Sequence, residues 1–89
     1  MSRLAQCVEA ARECAGLFRL SRDVEAALNM IKVFDAVQLA LASAPQAVRQ
    51  QWAQLLTYML ACQESQDWLG LADWMEYELV ELLESAAIP

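Results

Sequence analysis

The sequence contains no histidine, only two glycines and two prolines, and no lysine or arginine from residue 50 onward. Without histidine, neither nucleophilic triads, nor thiolate–imidazole zinc sites, nor the Glu-x-x-His pattern of di-iron bundles can be assembled. Gly16 and Gly70 are too few and too far apart for a glycine-rich phosphate loop, and the scarcity of both turn formers disfavours turn-rich β folds and low-complexity disorder. The three cysteines, Cys7, Cys14 and Cys62, are odd in number and lack the CxxC spacing. Seven residues along one helix put Cys7 and Cys14 about 10.5 Å apart on its axis, too far for an intrahelical bridge. They are expected to be reduced core thiols, which fits a cytoplasmic setting. Long hydrophobic runs are also missing. The uncharged stretches 36–48 and 50–63 fall short of the roughly 18 apolar residues of a membrane span and contain glutamine. Residues 1–13 turn charged again at Glu9, so no secretory signal core is expected.

What is present is apolar. Of 89 residues, 58% are hydrophobic, which suits a single small domain that must bury an unusually apolar interior to be stable. The net charge is −6, and it is unevenly spread: residues 1–49 carry +1 and residues 50–89 carry −7. Phosphate backbones and anionic lipid surfaces would be repelled, so neither nucleic acid nor membrane is expected as a partner. An electrostatic partner would meet the second half.

Punctuation divides the chain into four helices. Ser43-Ala44-Pro45 and Glu64-Ser65-Gln66-Asp67 read as turns, with Pro45 suited to a first helical position and Asp67 or Ser65 able to cap the next helix. A softer break lies at 19–23, where Ser21 or Asp23 could serve as cap. The expected fold is all-α, an antiparallel four-helix bundle with helices at roughly 3–19, 22–42, 46–64 and 67–86 in one domain spanning 1–89. The first helix lines up Leu4, Cys7, Val8, Ala11, Cys14, Ala15 and Phe18, many of them small enough to let a neighbour approach closely. The third aligns Val48, Trp52, Leu55, Leu56, Met59 and Cys62. In the second only Glu25, Asn29 and Lys32 form a polar strip, so this helix is expected to be central. Asp35 and Gln38 fall inside its apolar arc, which an interior or edge bonded pair, with help from an N-terminal arginine, would explain.

The last helix has an inward stripe of Trp68, Leu71, Ala72, Met75, Leu79, Leu82 and Leu83. Its opposite face gathers Asp73, Trp74, Tyr77, Glu78, Glu81 and Glu84. Aromatics with a polar rim are typical of binding hot spots, which makes these six the candidate partner-binding residues. Trp74 or Tyr77 covering a helix seam, with its polar tip in water, is the plainer explanation. Asp73, Glu76 and Tyr77 have the chemistry for acid–base work or a hard cation, but carboxylates at this spacing are common surface decoration. No catalytic set, metal or cofactor is expected.

The stretch 66–79, with its Asp-aromatic opening at Asp67-Trp68, then Leu71-Ala72-Asp73, then Glu76-Tyr77-Glu78-Leu79, resembles a pattern in small bacterial four-helix proteins of uncharacterised function. Length, acidity and the four-helix layout are loosely similar to flagellar or type III export chaperones, which hold helical ends of secreted subunits in the cytoplasm. The resemblance implies a chaperone-like adaptor. It agrees with the reading taken from the residues, a non-enzymatic module accepting an amphipathic, basic helix from a partner protein. Two alternatives stand beside it. Surplus apolar surface would equally close a symmetric homodimer without a client, and the acidic half would suit an antitoxin or immunity-type inhibitor.

Overall fold

The computed structural model describes residues 2–87. They form helix α1 (Arg3–Arg19), α2 (Asp23–Ala40), α3 (Gln46–Glu64) and a C-terminal rod made of α4 (Trp68–Asp73), a π-helical stretch (Trp74–Leu79) and α5 (Val80–Ala86), with no strand among the described residues. The caps between the rod's three parts keep right-handed helical dihedrals, so the rod is continuous. Four rods and an all-α fold thus match the expected segments, to the residue for α1 and α3.

The termini of these helices follow from local chemistry. Ser2 Oγ accepts from the Ala5 amide at 3.1 Å, and an Asp67 carboxylate oxygen accepts from Gly70 at 3.0 Å, each satisfying an otherwise orphaned first-turn amide. Pro45 stands one position earlier than expected, at the N-cap of α3 with ψ 152°. Neither Ser21 nor Asp23 caps α2. Arg22 occupies that position without a side-chain bond, and Asp23 Oδ1 is shielded from solvent without a partner among the described residues. Ser21 and Gln66 instead end the preceding helices. Both are left-handed, with φ of 61° and 59°. Arg22 N–H reaches Leu17 O at 3.0 Å and Asp67 N–H reaches Cys62 O at 2.8 Å, the bond that closes a Schellman motif.

α1 lies at the centre. It packs against α2 and against all three parts of the rod, while α3 packs against the rod. Its buried face of Cys7, Val8, Ala11, Cys14, Ala15 and Phe18 is the expected stripe, and its small side chains permit the close approach in which Cys14 Sγ donates to Ala26 O at 3.4 Å. Phe18 stacks on Trp68 with ring centroids 5.6 Å apart. The rod buries Leu71, Ala72, Met75, Leu79, Leu82 and Leu83 as expected, together with Val80, which lies outside the expected arc. A π turn holds one residue more than an α turn, so everything after it is rotated, and Val80 is carried inward.

The expectation of a central α2 is corrected. This helix buries Ala26, Met30, Val33 and Val37 against α1, while Val24, Leu28, Ile31 and Leu39 on the opposite arc stay exposed. Its apolar circumference thus divides into an arc buried against α1 and an arc that this chain's interior does not cover. Nor do Asp35 and Gln38 form a pair. Asp35 is exposed and makes no ion pair among the described residues, whereas Gln38 Oε1 accepts from the Trp52 indole N–H at 2.8 Å. With the Phe34–Trp52 edge-to-face contact at 5.8 Å, this bond clasps α2 to α3. The radius of gyration is 12.2 Å, close to the ~12 Å typical of a compact chain of this length, so the exposed apolar arc does not come from an open fold. No helix among the described residues is long and apolar enough to cross a membrane.

Candidate functional site

The six residues singled out on the last helix fall on three neighbouring surfaces. Asp73, Trp74, Tyr77 and Glu78 line a shallow depression with Gly70. Trp74, Glu78 and Glu81 also form one wall of an open groove whose other wall, from α3, carries Gln51, Gln54, Leu55 and Tyr58. Glu84 is turned away, lining a separate groove with Leu4, Val8 and Arg12 of α1. The acidic face is therefore not one patch. The rod turns its two flanks toward α1 and α3, and its carboxylates divide between them.

Arg19, the last residue of α1, decides the chemistry of the depression. Its Nη2 lies 2.9 Å from Asp73 Oδ1 and 3.0 Å from Glu76 Oε2, and its guanidinium carbon is 6.0 Å from the centre of the Tyr77 ring. The bond to Asp73, with the nearby charge of Glu76, holds Arg19 still more firmly protonated. Tyr77 is exposed, and hydrogen bonding to the Glu76 carboxylate, reinforced by that charge, pushes its phenol above its ordinary range. A phenol so shifted is a poorer acid, and the two carboxylates beside it share one guanidinium. Among the described residues no group of three or more Cys, Asp or Glu side chains could hold a metal ion. The thiols make poor nucleophiles too: all three are free, and burial pushes each upward, Cys14 to about 11.

The groove has a different character. Trp74 is half-buried and stacks on Tyr58 with centroids 5.1 Å apart and an interplanar angle of 25°, closing the seam between α3 and the rod. It thus does the plainer job foreseen for it, while Tyr77 remains outside. Glu78 and Glu81 form no ion pair among the described residues. Sequence reasoning overlooked Arg19, Tyr58 and the two glutamines, because helical periodicity orders side chains around one axis and says nothing about which neighbouring axis they meet.

A second surface stands out on α2. Val24, Leu28, Ile31 and Leu39, exposed to 78%, 61%, 57% and 66%, follow one another at intervals of four, three and eight residues and so share one stripe, interrupted only by Asp35. Glu25 and Lys32 flank it on one side. Contiguous exposed apolar side chains of this kind mark contact surfaces more often than scattered ones do. No protein-family model, curated protein or solved structure matches the chain.

Proposed function

We propose that the protein is a non-enzymatic helical binding module, an antiparallel four-helix bundle at work in the cytoplasm, whose groove between α3 and the rod accepts a basic amphipathic helix of a partner protein. The observation that carries this reading is the composition of that groove. Its walls offer Leu55, Leu82 and the stacked Tyr58–Trp74 pair beside Glu78 and Glu81, two carboxylates without an ion pair among the described residues. Apolar anchors would supply affinity, and the carboxylates would select a cationic helix and speed encounter. No arginine or lysine lines the groove, and Arg19, beside the neighbouring depression, is engaged by Asp73 and Glu76. The free thiols fit a reducing compartment. Holding a partner's helix in this way is adaptor work, comparable in kind to that of an export chaperone.

The test uses two defined peptides, a Leu/Lys amphipathic helix and its Leu/Glu counterpart. The Leu/Lys peptide should bind and shift the amide resonances of Tyr58, Trp74 and Glu81, and Trp74→Ala or the pair Glu78→Lys, Glu81→Lys should weaken it at least about tenfold. Binding should persist in high salt because its anchors are apolar. Equal binding of both peptides, or indifference to Trp74→Ala, would refute the groove. Binding that vanishes with salt would support the acidic-inhibitor reading instead.

A further inference from the structure

We propose that the outer face of α2 is a homodimer interface, in which two copies of α2 pack antiparallel across a two-fold axis passing between Leu28 and Asn29. This does not rest on the groove reading, since it concerns different residues and a different occupant.

The choice of a second copy comes from the charges beside the stripe. Glu25 and Lys32 lie on the same side of it and are equidistant from the point between residues 28 and 29. In an antiparallel two-fold pair, residues on the same side of the seam meet at equal distances from the axis, so each Glu25 faces the other copy's Lys32. Arg22, which within its own chain lies 3.6 Å from Glu25, and Asp35 are also equidistant from that point, so each Asp35 comes level with the other copy's Arg22, which the two carboxylates would then share. Every opposition across this axis joins unlike charges. A parallel pairing would carry Glu25 and Lys32 to opposite flanks of the seam, where neither meets an opposite charge, and would set Asp35, on the seam itself, against its own copy.

The apolar positions agree with the same axis. At about 1.5 Å of rise per residue, Leu28 falls between the other copy's Leu28 and Ile31, and Val24 falls between its Ile31 and Asp35, so the side chains interleave instead of colliding. Asp35, the carboxylate interrupting the stripe, then has a role: it fixes the register by needing an arginine where this alignment supplies one. A single helix face is small against the roughly 800 Å² per partner of a standard interface, so the dimer should dissociate in the micromolar range.

Sedimentation equilibrium over a wide concentration range tests this. The chain should pass from monomer to dimer, and Leu28→Glu should hold it monomeric with its helical circular dichroism intact, since Leu28 is mostly exposed before assembly. Lys32→Glu should weaken the dimer about tenfold, and adding Glu25→Lys should restore it. A chain with Lys32→Glu mixed with one carrying Glu25→Lys should form a heterodimer in preference to either homodimer. A monomer at every concentration, a dimer indifferent to Leu28→Glu, or a double charge swap that fails to restore association would overturn the proposal, as would occupation of this face by the Leu/Lys peptide. Leu28→Glu should leave peptide binding in the groove unchanged, and Trp74→Ala should leave the dimer unchanged, so the two readings fail separately.

Discussion

Replacing Gln38 by leucine should destabilise the protein more than an exposed glutamine ordinarily would. The Trp52 ring is almost wholly buried, and its indole N–H has Gln38 Oε1 as its partner at 2.8 Å. A neutral bond of this kind contributes about 1 kcal/mol net, and orphaning a buried donor adds a desolvation penalty of about 1 kcal/mol or more. The expected loss is therefore about 2 kcal/mol, which in a domain this small lowers the melting midpoint by on the order of 10 °C. Trp52→Phe removes the donor as well and leaves the Gln38 amide to water, so it should cost about 1 kcal/mol for the bond plus the cavity left by the smaller ring, and the double variant should be no worse than Trp52→Phe alone. Thermal and urea unfolding followed by circular dichroism at 222 nm reads all four corners of this cycle. Simple additivity of the two substitutions, or a Gln38→Leu chain as stable as the parent, would show that the α2–α3 clasp does not hold the fold as argued.

Other expectations concern turns, caps and thiols. Ser21→Gly and Gln66→Gly should each stabilise by about 1 kcal/mol in urea unfolding, because both residues pay for a left-handed conformation that glycine adopts freely. Gly70→Ala should be nearly neutral in the parent, since a Cβ there falls 2.7 Å from Asp67 Cγ and displaces the capping carboxylate, which offsets the gain in helix propensity. In an Asp67→Ala background, with no carboxylate to displace, the same substitution should stabilise by about 1 kcal/mol, and equal effects in both backgrounds would contradict the contact. Cys14 ionises at about 11 in the folded chain against 9.0 for an ordinary thiol, so the unfolded state loses its proton first. Its contribution should be intact below pH 9 and fall by about 2–3 kcal/mol as the pH approaches 11. Cys14→Ala should flatten that alkaline decline, and an unchanged slope would count against a buried thiol.

The helices were legible because their ends are written locally. Asp67 sits one residue before the rod, Pro45 just before α3, and the stripe of Cys7, Ala11, Cys14 and Phe18 repeats at helical spacing, so each can be recognised without knowing what lies opposite. The placement of α2 was not legible for the complementary reason. An apolar side chain looks the same in the sequence whether α1 covers it or not, and Met30, buried, and Leu28, exposed, are alike in that respect. The candidate site was read in halves. Trp74, Glu78 and Glu81 do share a groove, but the groove exists only because α3 brings Tyr58 and Leu55 to it, and Arg19 reaches Asp73 from 54 residues away. Glu84 belonged with the others on a helical wheel and parts from them in space, because a wheel drawn at constant pitch does not register the widened turn before it.

That widened turn has a practical result for the length of the chain. Between Trp74 and Leu79 the rod contains one amino acid beyond what a regular helix would use to cover the same path. Shortening it by one there should let the backbone relax into an ordinary helix while both ends keep their inner sides inward. The same loss within α5 should swing Leu83 away from α1 by about 100° and unfold the C-terminal end. The rod thus carries a spare position, and it lies beside the acidic depression, where the outline of the surface can change by insertion or deletion without the interior having to be rebuilt.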